Sequence, residues 1–102
     1  MEVTATKEVL AAIFATVFDD EPASVTDAEA TGTYGREPAS VSFDGKYWHI
    51  RDRDTDSTDT SLLCAVAEFF EMRGCDAGTI AGVGFDVAKA IARATAAPSA
   101  SR

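Results

Sequence analysis

The dipeptide Asp44-Gly45 lies between two stretches that alternate apolar and polar residues, Ala39 to Phe43 and Lys46 to Arg51. Asp-Gly is a preferred two-residue hairpin turn, because both central positions of that turn need positive φ. Folded about it, the chain sets Val41 opposite Trp48 and Phe43 opposite Lys46. Side chains alternate along a strand, so Ala39, Val41, Phe43, Trp48 and Ile50 share one face, and Ser40, Ser42, Tyr47, His49 and Arg51 share the other. The first face is apolar enough to be core, and the second stays wet. A one-residue slip would turn Trp48 outward, which makes the register of this hairpin firm. One apolar face needs a cover, and helical patterns on both sides of the hairpin supply it.

Upstream, a helix is expected from Ala5 to Phe18. Leu10, Ile13, Phe14, Val17 and Phe18 recur at i, i+3, i+4, i+7 and i+8, which is one helical stripe. Thr4 is its expected N-cap, and Glu8 puts negative charge where the dipole favours it. Asp19-Asp20-Glu21-Pro22 ends it, since the residue before proline avoids the helical region. Acids at a helix C-terminus oppose the dipole, which marks Asp19, Asp20 and Glu21 as a candidate patch. Residues 23–38 have little periodicity, and Ala28 to Tyr34 is a candidate edge strand. The pentapeptide Glu-Pro-Ala-Ser-Val occurs at 21–25 and again at 37–41. Two short copies are too few for a stacked-repeat architecture.

Downstream, Asp52 to Asp59 is a polar connector leading into a helix from about Thr60 to Arg73. Leu62, Leu63, Val66, Phe69 and Phe70 form its apolar face, Asp59 or Thr60 caps its start, and Gly74 stops it. In the last segment Ile80, Val83, Val87, Ile91 and Ala94 would line one continuous helix. Gly78, Gly82 and Gly84 each cost up to about 1 kcal/mol in a helix interior, which favours a turn followed by a helix from Asp86 to Ala96. The expectation is an α+β fold: a small antiparallel sheet built on the 39–51 β-hairpin, packed by an N-terminal helix and two C-terminal helices. Residues 1–97 form the single domain, and 98–102 a frayed C-terminal tail.

Seventeen Asp and Glu stand against nine Lys and Arg, a net charge of −8. Nucleic-acid binders neutralise phosphates with clustered cations, so direct nucleic-acid binding is disfavoured, as is an anionic membrane surface. The apolar run Val9 to Phe18 is about half a membrane span. Such a surface steers basic proteins toward it, including proteins that themselves bind nucleic acid, although acidity also serves solubility alone, as in a saline cytoplasm. Cys64 and Cys75 have neither the spacing of a redox pair nor that of a zinc knuckle. With the acidic Met1-Glu2 start in place of a cationic signal sequence, they point to a cytoplasmic location with reduced thiols. Composition leaves monomer and homodimer both open.

Asp52-Arg53-Asp54-Thr55-Asp56 resembles the first three ligand positions of an EF-hand calcium loop. Ser57 then stands where the turn glycine belongs and Leu63 where the bidentate acid belongs, so neither metal nor cofactor is expected. Asp54-Thr55-Asp56-Ser57-Thr58 is similar to the Asp-x-Asp-x-Thr motif of haloacid-dehalogenase-like phosphatases. That motif sits at the end of a parallel strand, whereas the strand before it here is antiparallel and the chain is short. His49 is the only histidine, so any Ser-His-Asp or Cys-His arrangement must pass through it. On the wet face it sits with Tyr47 and Arg51, a row of the kind enriched at contact surfaces. The leading expectation is a non-enzymatic acidic interaction module, of the kind phage-type inhibitors and DNA mimics represent, binding a basic or nucleic-acid-binding protein. Its candidate contact residues are Asp19, Asp20, Glu21, Asp52, Asp54, Asp56 and Asp59 with Tyr47, His49 and Arg51. The alternatives are a small helix-turn-helix-like regulator using the C-terminal helices, with Lys89 and Arg93 on one face, and a structural or assembly component.

Overall fold

The computed structural model describes residues 3–100, with side chains described through residue 96. Helix α1 (Lys7–Phe18) is followed by five strands: β1 (Ser24–Val25), β2 (Glu29–Tyr34), β3 (Glu37–Phe43), β4 (Trp48–Arg51) and β5 (Asp56–Asp59). Helices α2 (Leu62–Met72) and α3 (Ala77–Ala100) complete the α+β fold. The strands form one antiparallel meander in the order β1-β2-β3-β4-β5. α1 packs on β1, β2 and β3, α2 packs on β4 and β5, and α3 packs mainly on α1 and α2. The layering is therefore sheet, then two helices, then α3 across them.

The apolar stripe of α1 behaves as its spacing demands: Val9, Leu10, Ile13, Phe14, Val17 and Phe18 are all buried. They meet Ala30, Ala39, Val41, Trp48 and Ile50 on the sheet and Leu62, Ala65, Val66, Phe69, Val87 and Ile91 from the other helices. Phe18 lies tilted against Phe14 and meets the edge of Phe69, with centroids 4.8 and 5.7 Å apart. Gly32 in β2 lies directly beneath α1, where a Cβ would come within 2.8 Å of Phe14 Cζ. The close seating of helix on sheet depends on that missing methyl.

Apart from Tyr47, the hairpin residues face as expected, but the register differs. Phe43 pairs with Trp48 and Val41 with Ile50, two residues away from the expected pairing. The Asp44 carboxylate accepts the backbone N–H groups of both Lys46 and Tyr47, at 2.9 and 2.8 Å, and Gly45 takes φ 102°. These bonds stabilise a four-residue loop over the two-residue turn. A slip of two preserves which side chains face the core, so Val41, Trp48 and Ile50 remain buried.

Other boundaries differ for local reasons. Thr6, not Thr4, caps α1, accepting the N–H of Val9 at 3.2 Å. β2 is an interior strand, because β1 pairs with its outer side through Ser24–Thr31 and Val25–Ala30. The polar connector ends in a strand: β5 pairs with β4, and Ser57 is buried with its hydroxyl donating to the Ala65 carbonyl at 2.6 Å. Ser61, not Asp59 or Thr60, caps α2. Gly74 ends it as expected, its N–H reaching the Glu71 carbonyl. No turn interrupts 79–86: α3 runs through all its glycines, because Val87 and Ile91 are buried and Val83 and Ala94 pack against the core. Tertiary burial there outweighs intrinsic propensity. α3 is traced to Ala100, and residues 101–102 of the expected tail lie outside the described residues. Among the described residues, no helix is long and apolar enough to cross a membrane.

Candidate functional site

All three helices sit on one side, so the other face of the sheet is open. Strand pairing lays two polar rows across it: Ser24, Thr31, Ser40, Arg51 and Asp56, then Glu29, Ser42, His49 and Thr58. The expected contact residues His49 and Arg51 stand on this face. Tyr47 does not, because the four-residue loop removes it from β4; it stands exposed beside Lys46, whose Nζ lies 5.3 Å from its ring.

His49 is held at both nitrogens. Nε2 lies 3.0 Å from Asp44 Oδ2, and Nδ1 lies 3.0 Å from Thr58 Oγ1. The His49 bond, with the N–H groups of Tyr47 and Lys46, lowers the Asp44 pKa to about 2. An ionised carboxylate only accepts, so Nε2 carries a proton and donates to it. In the neutral imidazole Nδ1 then accepts from the Thr58 hydroxyl. The order carboxylate, imidazole, hydroxyl is that of a nucleophile relay. Here it also follows from the register, since Thr58 is the cross-strand neighbour of His49. Thr58 and Asp44 are exposed. Two cavities lie elsewhere. One, of about 460 Å³, is lined by Phe43, Lys46, Trp48 and the start of α2. The other, of about 410 Å³, spreads over Glu29, Thr31, Pro38, Ser40, Arg51 and Arg53. The relay therefore orients the imidazole on an open surface, with neither cavity holding a substrate against Thr58.

The acids divide into two populations. Those of the former connector are largely consumed within the chain. Asp52 has a side chain only 8% exposed, is ion-paired to Arg73, and accepts the N–H groups of Asp54 and Thr55. Asp56 pairs with Arg51 at 3.1 Å, and Asp59 accepts the N–H of Ser61. Among the described residues, Asp54 alone of this group keeps its carboxylate free of such bonds. Among the described residues no cluster of three or more His, Cys, Asp or Glu is placed to hold a metal ion.

The second population lies along the β1 side. From Glu8 to Gly35 the sequence contains six acids and no Lys or Arg. Those acids, Glu8, Asp19, Asp20, Glu21, Asp27 and Glu29, are all exposed. None takes part in an ion pair among the described residues; those pairs join Asp44, Asp56, Glu37 and Asp52 to His49, Arg51, Arg53 and Arg73. Asp19 adopts a left-handed conformation at φ 55° that swings the chain out of α1, and Asp20 accepts the N–H of Glu21. Asp27 sits in the β1–β2 turn, and Glu29 on the open sheet face beside it. The anionic rim thus has two parts at opposite ends of α1: 19–21 at its C-terminus and, at its start, Asp27, which accepts the Lys7 N–H at 3.0 Å, with Glu29, two residues that local pattern does not single out. The signal for them is the long cation-free run.

No family model matches the chain, and no curated protein or solved structure matches it either.

Proposed function

We propose that this protein is a non-enzymatic interaction module that binds a basic protein partner through the β1-side rim, Asp19, Asp20, Glu21, Asp27 and Glu29. The observation that carries the reading is the asymmetry of charge. Cations pair with acids near β4 and β5, while the rim acids form no ion pair among the described residues and have a single neighbouring cation, Lys7, whose N–H Asp27 accepts, so the net −8 is expressed chiefly on one flank. Unscreened like charges repel one another, and a cationic groove relieves that repulsion on contact. A groove of that kind is what proteins that bind nucleic acid present to phosphates, so the module acts as a competitor for it. His49 and Arg51 on the adjoining open face add directional contacts. The reading places the protein in the cytoplasm, where the free thiols of Cys64 and Cys75 stay reduced.

The test is displacement of duplex DNA from basic DNA-binding proteins, measured at low and high salt. Displacement is expected to weaken as salt rises and to be lost in the Asp19→Asn/Asp20→Asn/Glu21→Gln variant. A control variant that neutralises Glu68, Glu71 and Asp86, equal in charge change but outside the rim, is expected to retain it. Equal loss in both variants, or no displacement by the parent protein, overturns the reading.

A further inference from the structure

We propose that the outer face of α3 is a homodimer interface in which the α3 helices of two copies pack antiparallel. α3 is the outermost layer, resting on α1 and α2 through Val83, Val87, Ile91 and Ala94. The opposite stripe carries Gly78, Ala81, Gly82, Phe85, Lys89 and Ala92, all exposed. Phe85 is 64% exposed, the most of any large apolar residue described. Glycine is unfavourable in a helix interior, yet a Cβ at Gly82 would meet nothing within 4 Å, and one at Gly78 only the Asp76 carboxylate at 3.7 Å. Packing inside the chain does not require these glycines. A second helix approaching that face would, since backbones without Cβ atoms form a shallow groove.

Charge selects the occupant and its direction. In a chain of net −8, the outward side of α3 holds Lys89 in its stripe, with Arg93 and the helix's one acid, Asp86, at the edge. The complementary charge is Asp76, exposed at the other end of the same helix, where its carboxylate accepts the N–H of Thr79. Antiparallel crossing near Gly82 seats each Phe85 between the partner's Gly78 and the partner's Gly82, and brings each Lys89 beside the partner's Asp76. Parallel crossing would instead set Lys89 against Lys89. The antiparallel arrangement also opposes the two helix dipoles favourably, and its two-fold symmetry closes the assembly at two copies. Lys89 already lies over the Phe85 ring, 5.2 Å from its centroid, so both groups move into the interface together.

Sedimentation velocity over a wide concentration range tests the proposal. The parent chain is expected to dimerise. Gly82→Leu fills the groove with a better helix former in empty space, so the monomer melts no lower than the parent while the dimer dissociation constant rises by about tenfold or more. Phe85→Asp is expected to give a folded monomer. Lys89→Glu, which faces the partner's Asp76 with like charge, is expected to weaken the dimer most at low salt. A chain that stays monomeric at all concentrations, or a dimer that Gly82→Leu and Phe85→Asp both leave intact, overturns it.

Discussion

Replacing Gly32 with alanine adds one methyl where β2 and α1 have no room for it. The new Cβ would lie 2.8 Å from Phe14 Cζ and 3.2 Å from the backbone nitrogen of Ala23. Neither neighbour can step aside freely. The Phe14 ring is fully buried and packed at a tilt against Phe18, and the Ala23 N–H donates to the Thr31 carbonyl at 2.8 Å, anchoring β1 to β2. Overpacking of this kind costs about 1–3 kcal/mol. Alanine also narrows the unfolded ensemble, which offsets about 0.4–1 kcal/mol. The net expectation is a loss of roughly 1–2 kcal/mol, a drop of about 5–15 °C in melting temperature for a domain of this length. Urea melts of parent and variant, compared at unchanged slope, read the loss directly. If Gly32→Ala proves as stable as the parent, α1 does not seat on β2 as closely as described, and the account of the core fails there.

Gly84→Ala is expected to have the opposite sign. A Cβ there meets nothing within 4 Å in a continuous helix, so stability should rise by about 0.5–1 kcal/mol in the same melts; a loss would mean that the segment is a turn. Arg73 pairs with Asp52 and lies 5.1 Å from the Tyr34 ring and 5.4 Å from Phe69. Arg73→Ala leaves the largely buried Asp52 carboxylate without its cation, and a destabilisation of about 1–3 kcal/mol is expected; chemical denaturation within a few tenths of the parent would count against the pairing. Asp44, whose folded pKa of about 2 lies below its ordinary 3.8, stabilises the fold above the ordinary value and loses that contribution as pH falls toward 2. Asp44→Asn should therefore be less stable than the parent at neutral pH, the gap closing as pH falls from about 4 to 2; a gap independent of pH over that window would refute the assignment.

What pattern alone could reach was the facing of the elements. The stripe on α1, the inward set Val41, Trp48 and Ile50, and the face of α2 through Leu62, Val66 and Phe69 are all buried as their periodicity requires. Burial of an apolar face is a property of the local chain, so it is written in the residues themselves. The hairpin register was not, because a period of two is blind to a slip of two; the hydrogen bonds of the Asp44 carboxylate decided it. The candidate site was legible in part. His49 and Arg51 fall on the open face as the alternation implies, whereas the pairing of Asp52 with Arg73 and of Asp56 with Arg51 depends on neighbours brought from elsewhere.

Two elements illustrate what only the tertiary structure decided. Asp-Ser-Thr-Asp has little preference for a strand, yet β5 forms because β4 offers it hydrogen-bonding partners and α2 covers Ser57. The glycines of α3 oppose a helix, yet α1 and α2 supply the surface on which its apolar stripe is buried. In both cases the deciding free energy comes from contacts between segments distant along the chain, which no local window contains. Sequence determined which residues turn inward; the assembled fold determined what they meet, and with it which carboxylates remain free.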